Sequence, residues 1–241
     1  MIISLAAVIV AVAAGAGDGV HWGYKGDHGP EHWAGLSPEF AICGSGLNQS
    51  PIEIGEATPA ELASITLDYR GDTTRIVNNG HTLQVDVEPG SFLRVGEERF
   101  ELQQFHFHSP SEHSIGGESF PFEAHLVHAN ARGALAVIGV VFRLGAEHAV
   151  LRKLGQAAPR EKGGSTPLVL DLAGLRIHTV LDGYYRYSGS LTTPPCSEGV
   201  YWFLLKEYGE LSAKQVVTFV ELIGKDARGA QPRNARLVLE R

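Results

Sequence analysis

Sulfur is scarce in this chain. Its 241 residues include two cysteines, Cys43 and Cys196, and a single methionine at position 1, so in an oxidising compartment one pairing is possible and no second bridge. Basic charge is short as well: 20 Lys and Arg stand against 27 Asp and Glu, for a net charge of −7 and a pI near 5.9. That balance supplies no positive field of the kind that phosphate backbones or anionic lipid surfaces require, which excludes nucleic acid as a partner. No Ser/Gly linker, internal repeat or low-complexity tract interrupts the sequence, and glycines and prolines are scattered as turn punctuation, so nothing divides the chain into domains. Gly-x-Ser-x-Gly elbows, phosphate-binding loops and Rossmann glycine patterns are missing too.

Long apolar runs are equally rare. One covers residues 2–14, inside an uncharged stretch of residues 1–16 that ends in Ala14-Gly15-Ala16. It is too short to span a bilayer and leads into a small-x-small cleavage pattern, so it reads as a signal peptide over residues 1–16, although its positive n-region is reduced to the amino terminus. The expected location is secreted or periplasmic, with no stable membrane span. In an exported chain Cys43 and Cys196 form the one available disulfide, worth up to about 5 kcal/mol for so long a loop.

What the chain does have is 44% hydrophobic and 20% charged residues, enough apolar material for one core in a single domain over residues 17–241. Apolar and polar residues alternate through Arg75-Ile76-Val77, Thr82-Leu83-Gln84-Val85-Asp86-Val87 and Arg99-Phe100-Glu101-Leu102, between Asn-Gly, Pro-Gly or Gly turns. These are strands. Continuous apolar stretches at 135–142 and 200–205 read as buried strands, and the spacing at 149–155 and 212–223 as helices. The class is mainly β (α+β), with short helices at the periphery.

In Gln104-Phe105-His106-Phe107-His108 every second residue is polar, so a strand sends Gln104, His106 and His108 to one face and both phenyl rings to the other. Histidines two apart on a strand lie roughly 7 Å apart at Cα, close enough to share one ion. A third ligand comes from Phe122-Glu123-Ala124-His125-Leu126-Val127-His128, where His125 and His128 face opposite ways. His125 shares its face with Glu123, which can accept the second imidazole N–H, as Gln104 can for His106. Three neutral nitrogens without a fourth protein ligand are the arrangement of a catalytic zinc. His128 reads as a structural residue. The string His108-Ser109-Pro110-Ser111-Glu112-His113 superficially suggests a helical metalloprotease motif, but its spacing is one residue too long and Pro110 opposes the helix.

These strings, with Ser111-Glu112-His113 between them, resemble the alpha-type carbonic anhydrase signature. The likeness extends to His21-Trp22-Gly23-Tyr24, Asn48-Gln49-Ser50-Pro51-Ile52, Asn78-Asn79-Gly80-His81, Ser190-Leu191-Thr192-Thr193-Pro194-Pro195-Cys196 and Asn234-Ala235-Arg236. In length and short loops the chain is similar to bacterial secreted members, and it departs from vertebrate ones at Ala129 and Leu237. The resemblance implies a central twisted, mostly antiparallel sheet with Zn2+ at the bottom of a conical cleft. It also implies reversible hydration of carbon dioxide to bicarbonate by zinc-bound hydroxide. On that likeness Thr192 takes a hydrogen bond from the hydroxide and donates one to Glu112, on a loop that Pro194, Pro195 and a Cys43–Cys196 bridge hold rigid, with the Pro194–Pro195 bond cis. Val127, Val137, Leu191, Thr193, Val200 and Trp202 line the carbon dioxide pocket, and alternation independently puts Val127 on the His125 face. His81 is the implied proton shuttle, for which a pKa near 6.5 is suited. Asn234 joins Gln104 and Glu123 behind the ligands. Two other functions share these features, a non-catalytic carbonic-anhydrase-like binding module and a zinc esterase. Homodimer formation stays open, because a sheet edge or loop surface can pair.

Overall fold

The alternating stretches become one large sheet in the computed structural model, which describes residues 20–172 and 180–241. The leader expected over residues 1–16 lies outside that range. At the centre of the sheet lie three long antiparallel neighbours, Glu98–His108, Phe122–Ala129 and Leu135–Leu144. Beyond them Glu198–Leu205 runs parallel to Leu135–Leu144, and Tyr184–Ser190 pairs antiparallel with it in turn. On the other side Leu83–Val87 and Thr73–Asn78 continue the antiparallel order. A mainly β, mostly antiparallel architecture with few short helices is therefore what forms.

Both faces of the central strands are covered, and Phe122–Ala129 is buried along nearly its whole length. On one face Phe105, Phe107, Ala124, Leu126 and Ile138 join a core that also takes Leu151, Leu154 and Phe219 from two helices, Ala149–Ala157 and Ala213–Ile223. The second helix opens with a reciprocal cap: the Ser212 hydroxyl accepts from Gln215 N–H (3.3 Å) and Gln215 Oε1 accepts from Ser212 N–H (3.0 Å). So anchored, it sets the Phe219 ring 4.8 Å from that of Phe122. Complete burial of such a ring stabilises by about 2–3 kcal/mol.

The opposite face carries a second apolar cluster containing Val127, Val137, Val200 and Trp202. A third, smaller cluster of Trp33, Cys43 and Cys196 surrounds the Cys43–Cys196 disulfide, which forms as expected. The bridge ties the segment after Thr192 to a short helix, Ile42–Ser45, 153 residues away in sequence.

Candidate metal centre

His106 and His108 leave the same face of Glu98–His108, while Phe105 and Phe107 enter the core behind it. On the next strand His125 stands directly across from His106, and Glu123 across from His108. Because antiparallel partners are only about 5 Å apart at Cβ, the three rings meet. Their centroids are 5.1 Å (His106 to His108), 5.3 Å (His106 to His125) and 4.6 Å (His108 to His125) apart. One nitrogen from each lies within 4.8 Å of the others.

An acceptor turns each ring. His106 Nδ1 donates to Gln104 Oε1 (2.9 Å), His108 Nδ1 to the Asp226 carbonyl (2.9 Å), and His125 Nε2 to Glu123 Oε1 (2.8 Å). The proton is thereby held on the outer nitrogen, and the lone pairs of His106 Nε2, His108 Nε2 and His125 Nδ1 face one another. His108 Nε2 is buried and makes no hydrogen bond, with Glu112 Oε2 3.5 Å away, an unsatisfied ring nitrogen that a cation would satisfy. Burial pushes His106 well below its ordinary pKa, helped by His108 and His125, and burial lowers His125 as well. Neutral imidazoles are the form a metal needs. For His108 burial also opposes the charged form, but the Glu112 and Asp226 carboxylates outweigh it and raise the pKa. The three converging ring nitrogens fit a metal ion, which would have to displace the proton that the neighbouring carboxylates favour on His108.

Residues 28–240 match the family model for eukaryotic-type carbonic anhydrase. The chain belongs to this family. A carbonic anhydrase of Pectobacterium carotovorum is 43% identical over 231 residues, which cover 95% of each chain. Among solved structures, the alpha-carbonic anhydrase of Thermovibrio ammonificans, in complex with the inhibitor sulfanilamide, is 46% identical with a TM-score of 0.87, over 92% of this chain and 99% of that one. The Photobacterium profundum alpha-carbonic anhydrase is 46% identical with a TM-score of 0.85, over 91% of this chain and 100% of that one.

Other positions singled out by the carbonic anhydrase likeness can now be placed. Val127, Val137, Val200 and Trp202 are buried together, with Leu191 packed at their edge. The Trp202 and His125 rings are 4.9 Å apart, so this apolar wall adjoins the histidines. Thr193 is half-buried, in the loop beyond Leu191. The Pro194–Pro195 bond is cis. His128 is a hydrogen-bonded core residue, its Nε2 2.7 Å from the Tyr69 hydroxyl and its Nδ1 3.2 Å from the Ala136 carbonyl.

Four positions differ from expectation. Thr192 and Glu112 are both buried, but the hydrogen bond between them is not made. Glu112 Oε1 instead accepts from Arg228 N–H (2.9 Å), while Oε2 turns toward His108 Nε2 (3.5 Å) and His125 Nδ1 (3.9 Å). Asn234 does not stand behind the ligands. It is exposed, and its side chain donates to the Leu47 carbonyl (2.8 Å). The support behind His108 comes from Asp226, whose carbonyl holds the ring and whose Oδ1 accepts from Ser109 N–H (2.8 Å). Two residues on, the buried Arg228 guanidinium donates to Gln49 Oε1 (3.0 Å), Ser50 O (2.8 Å) and Cys43 O (2.8 Å). Finally, His81 stacks flat on Trp22 at 3.7 Å between centroids. Burial there, with Lys162 and His21 nearby, lowers its pKa to about 4, below the 6.5 anticipated.

Proposed function

We propose that the chain is a zinc-dependent carbonic anhydrase that reversibly hydrates carbon dioxide to bicarbonate and a proton, its catalytic domain spanning residues 17–241. The observation that carries the reading is the convergence of three imidazole lone pairs, from His106, His108 and His125, beside a buried apolar wall. Those residues would hold Zn2+. Zinc at such a site supplies Lewis acidity that makes water nucleophilic near neutral pH, the effect for which carbonic anhydrases are the standard example.

The protein's own groups divide the remaining work. Gln104, Glu123 and the Asp226 carbonyl keep the ring protons on the outer nitrogens. Val127, Val137, Leu191, Val200 and Trp202 exclude water and accept a small apolar substrate, with Thr193 at the loop beyond them. Glu112, acceptor-only when ionised, is the proposed acceptor for the Thr192 hydroxyl, a bond not made in the present arrangement, where its oxygens face Arg228 N–H and the ligand imidazoles. His81 is the proposed carrier of the released proton, although burial and stacking on Trp22, which lower its pKa to about 4, disfavour its protonated form in that position. The disulfide supports an extracytoplasmic site of action, reached through the leader over residues 1–16, in the periplasm or outside the cell.

Stopped-flow hydration by zinc-loaded and zinc-stripped protein tests the reading. Turnover that appears only with zinc is the expected result. Zinc-loaded protein without hydration favours the binding-module alternative, and ester turnover far above hydration favours the zinc esterase.

A further inference from the structure

Behind the histidines runs a row of buried polar groups that the reaction itself does not touch. Ser190 N–H donates to Ser50 Oγ (3.0 Å), Ser50 Oγ meets the Tyr187 hydroxyl (3.0 Å), and that hydroxyl meets His113 Nε2 (2.7 Å). His113 Nδ1 then donates to Glu123 Oε1 (2.7 Å), the oxygen that also holds His125 Nε2 (2.8 Å). Ser50, Tyr187, His113 and Glu123 are all 3% exposed or less, so water competes for none of these bonds.

The polarity of the row follows from what each group can do. A carboxylate only accepts, which places a proton on His113 Nδ1; with the Tyr187 hydroxyl as donor, His113 Nε2 accepts from it. The Tyr187 oxygen takes the Ser50 hydroxyl proton, and Ser50 takes the Ser190 N–H. The other Glu123 oxygen accepts from Glu112 N–H (2.8 Å) and His113 N–H (2.9 Å). With two donors on each oxygen, the carboxylate has no freedom to turn.

We infer that Tyr187 and His113 are positioning residues for the metal: they lock the Glu123 carboxylate, and Glu123 in turn holds the His125 ring with Nδ1 toward the ion. The inference deepens the metal-centre reading and rests on it. Tyr187 also lies parallel to Trp202, at 6.0 Å and 9°, and a phenyl ring keeps that contact. Tyr187→Phe therefore removes the hydroxyl alone, leaving His113 Nε2 without its donor.

The test is the zinc dissociation constant of Tyr187→Phe, by competition with a chelator, together with the visible absorption of the Co2+-loaded protein, each repeated in a Glu123→Gln background. Zinc binding about tenfold weaker and a changed cobalt spectrum are expected in the single variant, with no further loss in the double variant, where the row is already cut. Unchanged affinity, or an equal loss in both backgrounds, overturns the inference. Should Tyr187→Phe fail to fold, Ser50→Ala cuts the row one step further out and is expected to weaken zinc in the same direction; unchanged affinity there overturns it equally. A wild-type protein that binds no zinc at the three histidines sinks the metal-centre reading itself, and does so before any variant is made.

Discussion

Replacing Glu123 by glutamine changes one atom and sets two donors against two donors. The carboxylate accepts from two backbone N–H groups on Oε2 (2.8 and 2.9 Å) and from two imidazole N–H groups on Oε1 (2.7 and 2.8 Å). A carboxamide serves one pair with its oxygen and must present NH2 to the other, so two hydrogen bonds are lost in either orientation. Bonds to an ionised acceptor contribute about 1.5–3 kcal/mol each, giving a gross loss of about 3–6 kcal/mol. Removing a buried charge recovers part of its desolvation penalty, which brings the net loss to the lower end, about 3 kcal/mol. If NH2 faces the imidazoles, His125 must also give up the tautomer that directs Nδ1 inward, and zinc affinity falls about 10–100-fold. Urea denaturation of the zinc-free protein measures the first effect and chelator competition the second. A Glu123→Gln protein with the urea midpoint and zinc affinity of the wild type would refute the four-donor account of this carboxylate.

Three further outcomes are expected. The pKa of His128 is lowered from 6.5 to about 4 by burial, so both folded and unfolded chains hold it neutral above pH about 6.5 and stability there is full. Below that pH the unfolded chain gains a proton that the folded one refuses, and about 3 kcal/mol is lost by pH about 4. Urea melts across this range should show a flatter pH dependence for His128→Gln than for wild type, and parallel curves would contradict the assignment. Reducing the Cys43–Cys196 bridge, which spans 153 residues, should lower stability by up to about 5 kcal/mol; a thiol titration of the denatured, unreduced protein should find no free thiol. His125→Ala should lose zinc and hydration activity together, whereas His81→Ala should keep zinc and slow only proton transfer in weak buffer, with recovery on adding imidazole. Loss of zinc in His81→Ala would remove it from the proton route.

The parts of the site that could be read in advance are those with a local period. Gln104, His106 and His108 alternate with two phenylalanines, and Glu123 and His125 alternate on the next strand, so a repeat of two residues by itself sorts both sets onto one face. The disulfide was legible because two cysteines allow one pairing. Asp226 was not, since what it offers His108 is a main-chain carbonyl from 118 residues away, and every residue type carries one. Reading Asn234 in its place followed a string likeness with no spatial constraint behind it. Thr192 and Glu112 were located but not their mutual orientation, which depends on how Arg228 N–H engages one carboxylate oxygen. The weak basicity of His81 was hidden for the same reason, because Trp22 and Lys162 lie beside it only in the folded chain.

The stretch from Asp226 to Arg228 bears on the order in which the protein matures. A nascent chain that has passed residue 125 already carries all three imidazoles, yet it lacks the carbonyl that turns His108 and the guanidinium that gathers Cys43, Gln49 and Ser50 from as far as 185 residues upstream. Until that late segment arrives, the His108 ring has no Asp226 carbonyl to hold it. The finished aim of His108 is thus a property of the nearly complete chain, because the carbonyl that turns it lies 118 residues further on.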